Sequence, residues 1–318
     1  NQTGRNTYKG GLYNQGGGER EVLSVSFSRY FNDGDGAFSI GYTNQNIDEL
    51  SGMASTTANS SYGKYAASDY NNRTAQRSIY ETEHRLFATL SSTHYFFGAD
   101  KPTTFNLFFE RKSGLPGTYS WDTYTSRNYG GTAYQREAFG YEKNLNDDSS
   151  HLIYVPTGLT DPNVCWGSCS GAPDLAIANQ VLEMLHNTLG LKSYAGQIVP
   201  NGVYEYPWQT TLDLKITQIL PGFRADDEFV ISLGIENLLN LIDSDKGVIE
   251  YGPYNGKMAV LDMYMNEDFS KYIYPNYKGR GYPDWAYGFN QSNPKGIRKS
   301  AVNSIWRAQL GFTYKFSF

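Results

Sequence analysis

The chain has 318 residues, of which 39% are hydrophobic and 15% aromatic, with 27 Tyr, 33 Gly and a net charge of -5; its mean hydropathy is -0.54. That length can bury a large core, and the acidic balance excludes the basic footprint of a nucleic-acid binder. No run approaches the ~20 apolar residues of a spanning helix, which leaves only a β-barrel as a membrane architecture, because barrel strands are individually short.

The first residues, Asn1, Gln2, Thr3, Gly4, Arg5 and Asn6, form neither a charged start nor an apolar leader, so the expectation is a processed chain or a fragment. Alternation of apolar and polar residues then predicts seven strands. Leu23, Val25, Phe27 and Phe31 alternate with Ser24, Ser26 and Ser28, and Phe38, Ile40 and Tyr42 with Ser39, Gly41 and Thr43. Leu86, Ala88 and Leu90 follow, ending in Tyr95, Phe96 and Phe97, and then Phe105, Leu107 and Phe109. After a long interval come Leu212, Leu214 and Ile216, then Phe229, Ile231, Leu233 and Ile235. The seventh strand is expected from about residue 304, with Ala308, Leu310, Phe312, Tyr314, Phe316 and Phe318 on one face. Glu110, Asp213, Lys215, Glu236, Arg307 and Lys315 fall on the polar face, a costly place in lipid and a natural one in a wet lumen. An aromatic strand ending on Phe is what the last strand of a bacterial outer-membrane barrel looks like.

The connections alternate strictly. Short Gly-, Pro-, Asn- and Asp-rich turns lie at Asn32, Asp33, Gly34, Asp35 and Gly36, at 98–102 and at 221–227. Long connections span about 48–82, 115–207 and 241–303. Outer-membrane barrels pair tight periplasmic turns with long extracellular loops, and a compact soluble domain rarely carries several structureless loops of that length. The last strand then descends to the periplasm, the first also descends, and residues 1–21 start outside the cell. An odd number of strands with two open edges is not viable alone in a bilayer, so residues 1–318 are expected to be the C-terminal portion of a larger barrel.

Within the longest connection, apolar residues at helical spacing from Asp174 to His186 predict a surface helix, capped by Asp174 and ended by Gly190. Cys165 and Cys169 are spaced C-x3-C. They fit a small-loop disulfide, a free thiol pair or part of a metal site; an oxidising compartment favours the disulfide, and zinc usually needs four ligands. Asn32, Asp33, Gly34, Asp35 and Gly36 resemble a calcium loop only in part, because the bidentate Glu is missing, and a hairpin turn is the better reading. Asp147, Asp148, Asp243 and Asp245 lie near loop roots, either as cation ligands or, more simply, as solvated carboxylates. His84, His94, His151 and His186 sit in no nucleophile–base–orienter pattern, so no catalytic site, cofactor or metal is expected. Tyr272, Tyr274, Tyr277, Tyr282, Trp285 and Tyr287 crowd into sixteen residues. They either grip a ligand, or pack the loop against its neighbours or line an outer aromatic girdle, and a long ordered loop needs such packing.

The segments at 147–156 (DDSSHLIYVP), 194–200 (YAGQIVP), 207–208, 212–214 and 236–242 (ENLLNLI), with the closing Trp306-x-Ala308-Gln309-Leu310-Gly311-Phe312-x-Tyr314 strand, resemble TonB-dependent outer-membrane receptors of the Oar-like subgroup. The resemblance covers most of residues 85–318. It implies a 22-stranded barrel around an N-terminal plug, of which these would be the last seven strands. It also implies import, or alternatively export, of a large ligand, driven by an energy-transducing inner-membrane partner that acts through the plug. The plug and the N-terminal strands are absent from this chain. The rival expectation is a structural or adhesive outer-membrane protein whose loops bind partners without transport; a passive porin fits the large loops less well.

Overall fold

A computed structural model describes residues 15–51, 56, 61, 65–68, 72–122, 151–224, 226–253, 256–266, 270–283, 285–286 and 289–316. Asp147, Asp148, Tyr287 and Phe318 lie outside the described residues. In chain order the strands are β1 (Glu19–Phe31), β2 (Gly36–Glu49), β3 (Gln76–Arg77), β4 (His84–His94), β5 (Thr103–Lys112), β6 (Pro116–Asp122), β7 (His151–Leu152) and β8 (Val164–Trp166). Helix α1 (Leu175–Leu182) precedes β9 (Tyr204–Glu205), β10 (Gln209–Pro221), β11 (Glu228–Glu236) and α2 (Leu238–Ile242). The chain closes with β12 (Glu250–Tyr251), β13 (Lys257–Asp262), β14 (Tyr264–Met265), β15 (Tyr272–Tyr274), β16 (Arg298–Lys299), α3 (Ala301–Ser304) and β17 (Arg307–Lys315).

The seven strands expected from alternation are the seven long strands of one antiparallel sheet, in the order β1-β2-β4-β5-β10-β11-β17, with β3 paired to β2. Every neighbour in that path is antiparallel. The sheet is open: among the described residues β1 pairs only with β2, and β17 only with β11. The last strand begins at Arg307 rather than near 304, because the Ser300 hydroxyl accepts the Asn303 N–H and turns residues 301–304 into one helical turn.

The registers line the apolar residues into rows. Phe27, Ile40, Ala88, Phe109 and Leu212 form one row. Phe38, Leu90, Leu107, Leu214, Ile235 and Ala308 form the next. Phe105, Ile216, Leu233 and Leu310 continue it, and Leu220, Phe229 and Tyr314 end it. Paired residues share a face, so a single apolar band crosses the whole sheet. Its polar members stand near the ends: Arg29 is close to the first turn and Gln218 to the third.

All three short turns lie at one end of the sheet. In the first, Asn32 and Asp33 take φ of 51° and 54° and Gly34 takes 104°. Asn and Asp tolerate that region better than other side chains, and Gly enters it freely. The described parts of the three long connections rise from the other end and are not structureless. They assemble a cap in which β6 of the second connection pairs in parallel with β13 of the third, and β8 pairs in parallel with β15. Helix α1 is capped as expected: the Asp174 carboxylate accepts the Ala176 and Ile177 N–H groups at 3.1 and 3.2 Å. A π-helical turn follows, and Gly190 comes after it at φ 70°. Ile177, Val181 and Leu185 press this segment onto Trp121, Ile153, Val155, Leu261 and Tyr274, all fully or nearly fully buried. No large apolar side chain of the seven long strands belongs to this or any other buried group among the described residues.

Candidate functional site

Two surfaces carry the residues singled out by the sequence: the polar face of the sheet and the cap above it. The polar face is built from the residues that alternate with the apolar rows along each strand. Ser24 faces Thr43 with hydroxyls 3.1 Å apart, Ser28 faces Ser39 at 2.9 Å, and Thr93 faces Thr104 at 3.1 Å. Most of its charges are paired: Arg85 to Glu110 across strands at 2.7 Å, Lys112 to the same carboxylate along β5 at 3.4 Å, and, again across strands, Arg307 to Glu236 at 3.0 Å and Lys315 to Glu228 at 2.9 Å. Such exposed pairs are individually worth about 0–1 kcal/mol, so they mark a wet face more than they hold the sheet. Phe87, an aromatic on this face, lies over Gly41, where a β-carbon would collide with the ring. A trough of about 430 Å³ runs between two side-chain rows, Thr89–Phe108–Asp213–Glu236 and Ser91–Asn106–Lys215–Gly234. Asp213 also accepts the Asn237 N–H at 2.8 Å, tying the trough to the end of β11.

Arg77 braces the root of the cap. It meets Glu81 at 2.5 Å, Glu83 at 2.8 Å and Glu205 at 2.7 Å. Glu81 is buried and accepts the Ile47 N–H at 2.6 Å, so one guanidinium joins β2 to the first and second long connections. Burial alone would push the Arg77 pKa down, but the Glu205 and Glu81 carboxylates raise it, and the charge persists.

The aromatic stretch divides. Tyr274 is fully buried, stacked on Trp166 at 5.1 Å and edge-on to Trp121 at 5.2 Å, and its hydroxyl donates to the Tyr154 carbonyl at 3.0 Å. Burial pushes its pKa well above the ordinary value, so it stays a neutral phenol. Tyr272 is half-buried and stacks on Tyr154 at 4.7 Å. These two serve the cap core. Tyr277 and Tyr282 are half-exposed, stacked at 5.4 Å, with the Arg280 guanidinium 5.7 Å from the Tyr277 ring. Trp285, also half-exposed, stacks on Phe289 at 5.8 Å. Trp285, like Tyr272, packs against the buried core, so the part of the stretch that stands outside it is Tyr277 and Tyr282. A second phenol cluster lies at the cap base: Tyr119 and Tyr204 are 4.4 Å apart, and the Tyr204 and Tyr206 hydroxyls are 3.1 Å apart. Burial raises all three, Tyr206 to about 12.

Cys165 and Cys169 are joined as a disulfide, with their Cα atoms 5.0 Å apart. The four histidines are dispersed. His84 meets the Tyr42 hydroxyl at 2.8 Å on the sheet, and His94 meets Ser92 at 2.9 Å near the first turns. His186 contacts the Pro156 carbonyl at 2.7 Å. His151 is buried in the cap, where burial, with Lys257 nearby, pushes its pKa down to about 3. The Asp161 carboxylate would be raised by its burial. Hydrogen bonds from the Thr157 and Asn163 N–H groups and the Tyr154 and Thr157 hydroxyls hold it below the ordinary value instead. Among the described residues no three His, Cys, Asp or Glu side chains are placed to hold a metal, and no helix is long and apolar enough to cross a membrane.

No family model, curated protein or solved structure matches this chain.

The Tyr and Trp enrichment suits aromatic girdles, and what the sequence left unplaced is a pair of aromatic belts on the apolar face. At the cap end, Tyr42 stacks on His84 at 6.1 Å, His84 on Trp208 at 5.8 Å, and Arg111 lies 5.4 Å from the Trp208 ring. At the turn end, Phe96 packs on Phe105, Phe223 stacks on Tyr314 at 5.5 Å, and Tyr314 meets Phe316 at 4.7 Å. The Tyr314 hydroxyl donates to Asp227 at 2.6 Å and accepts the Phe223 N–H at 2.7 Å. The signal was available in the sequence: Tyr42, His84, Trp208 and Trp306 continue the apolar parity of their strands at the ends nearest the long connections.

Proposed function

We propose that the seven strands are a membrane-spanning arc of an outer-membrane β-barrel, and that the protein is a receptor or transporter of the TonB-dependent type that moves a large ligand across that membrane. The observation that carries the reading is the uncovered apolar band. It runs unbroken across seven strands, aromatic belts bound it at both ends, and a hydroxyl- and charge-rich face lies behind it. Phe27 is 57% and Phe312 62% exposed, a costly arrangement in water and the expected one against lipid. From Trp306 to Phe316 the last strand runs roughly 33 Å, or about 25 Å of height at a tilt of about 40°, which matches the apolar band of such barrels.

The edges follow from the same solvent. Unpaired N–H and C=O groups of β1 and β17 would each cost several kcal/mol in hydrocarbon, so further strands complete the arc, with a plug inside the lumen and an energy transducer acting through it. The polar trough would lie on the ligand path, and Tyr277 and Tyr282 would meet ligand at the cell surface. The rival reading, an adhesive or structural barrel, is favoured by one feature: the cap has its own rigid core and could present a fixed binding surface without moving. Loss of ligand uptake on deleting the gene, restored by the intact protein, supports transport; unchanged uptake with lost surface binding supports adhesion.

Topology is tested by protease added to intact cells. Cleavage is expected in the cap and not at Phe223, although that turn residue is 97% exposed. First cleavage at the short turns, or recovery of the protein in the soluble fraction, overturns the membrane reading.

A further inference from the structure

We propose that the apolar face carries, at its cap end, a binding site for a phosphorylated lipid headgroup. A cleft of about 610 Å³ opens there, lined by Arg111, Trp208, Thr210, Lys246 and Lys299, with Asp245 and Glu250 at its margin. Arg111 pairs with Thr210 and shares the parity of Phe109 and Leu212, so these residues belong to the apolar face. The proposal rests on the membrane reading, because it places this cleft at the level of lipid headgroups.

The cleft gathers several uncommitted cations. On the polar face Arg85, Lys112, Arg307 and Lys315 have carboxylate partners, and among the described residues Lys215 has none. Arg111, Lys246 and Lys299 have none within 4.0 Å among the described residues, so their donors are uncommitted. Lys299 stands opposite Glu250 in the short β12–β16 ladder without forming an ion pair. The lining thus holds three cations against two carboxylates, an excess of one positive charge. That balance suits a phosphate monoester that brings its own counter-cation. Arg111 is held over the Trp208 ring, which leaves its planar fork free at the edge for phosphate oxygens, and the indole offers a stacking surface for a sugar. Leu239 and Val248 add apolar side chains to the lining, and three residues along the chain from Leu239 and Lys299, Ile242 is 74% and Val302 65% exposed. Long cationic side chains above such a surface place their heads at headgroup level while their stems cover the chains.

The test is native mass spectrometry of the intact protein, extracted from membranes in mild detergent. It is titrated with a phosphorylated disaccharide lipid (lipid A), with the same lipid stripped of its phosphates, and with inorganic phosphate. One phosphorylated lipid should be retained, and the dephosphorylated form should bind at least tenfold more weakly. The triple variant Arg111→Gln/Lys246→Gln/Lys299→Gln should lose that preference, while Lys192→Gln, on the exposed cap surface, should keep it. Equal binding of both lipids, or a triple variant that binds like the wild type, overturns the site while leaving the membrane reading intact. Displacement of the lipid by equimolar inorganic phosphate would show an anion site without lipid selectivity and overturn the lipid assignment. A protein found only in the soluble fraction overturns both readings.

Discussion

In the cap, Trp121, Ile153 and Tyr274 lose all contact with solvent, whereas in the sheet Phe27, Phe312 and Leu310 remain more than half exposed. Both regions use aromatic and branched side chains. The cap surrounds them, with β6 and β13 on one side and α1 on the other. The sheet spreads them over one face of an open surface and covers neither side. The cap therefore carries the stability of an aqueous domain, through burial at about 25 cal/mol per Å². The sheet leaves its apolar face uncovered among the described residues. The low mean hydropathy belongs to both: polar connections in the cap and an alternating polar face in the strands.

That contrast breaks most sharply at Trp121. Trp121→Ala should cost about 3–5 kcal/mol, with hydrogen exchange rising through the cap while β1, β2, β4 and β5 stay protected. Loss of protection throughout the sheet would mean that the two regions do not fold separately. Next is Phe312→Arg, which should cost about 2–4 kcal/mol when the intact protein is refolded into lipid vesicles. An equal penalty at Lys315→Gln would reverse the assignment of faces, since Lys315 only forms an exposed pair with Glu228 worth less than about 1 kcal/mol.

A pH titration sharpens the comparison from the cap side. His151 is neutral when folded, with a pKa pushed to about 3 from an ordinary 6.5 by burial, with Lys257 adding. The unfolded chain takes up the proton first. Stability of the cap is therefore complete above pH 6.5 and falls by about 1.4 kcal/mol per pH unit between 6.5 and about 3. His151→Gln should flatten that slope in denaturant melts, and an unchanged slope would assign it to other groups. The smallest effect concerns the Cys165–Cys169 ring. A loop so short contributes about 2 kcal/mol at most, so Cys165→Ser/Cys169→Ser should loosen the segment around Trp166 and leave the sheet unchanged. Alkylation of the unreduced protein should label neither thiol; labelling of both would remove the ring from the account.

The seven long strands, their order by short and long connections, the turns at Gly34 and Gly222, and the Asp174 cap were all legible in the sequence. Each follows from local rules: period-2 alternation, turn residues with permissive φ, and a carboxylate ahead of a helical apolar run. The fate of Tyr272, Tyr274, Tyr277, Tyr282 and Trp285 was not legible. Tyr272, Tyr274 and Trp285 join the core and Tyr277 and Tyr282 stand outside it, and this division depends on β8, β13 and Trp121, contributed by two different long connections. The partnership of Arg77 with Glu205 and the gathering of Arg111, Lys246 and Lys299 around Trp208 likewise span distant parts of the chain. Sequence determines what is local, because a strand's faces and a turn's backbone are set by neighbouring residues. Only the tertiary structure decides which aromatic is covered and which cation is left uncommitted, because burial and charge pairing depend on segments that meet after folding.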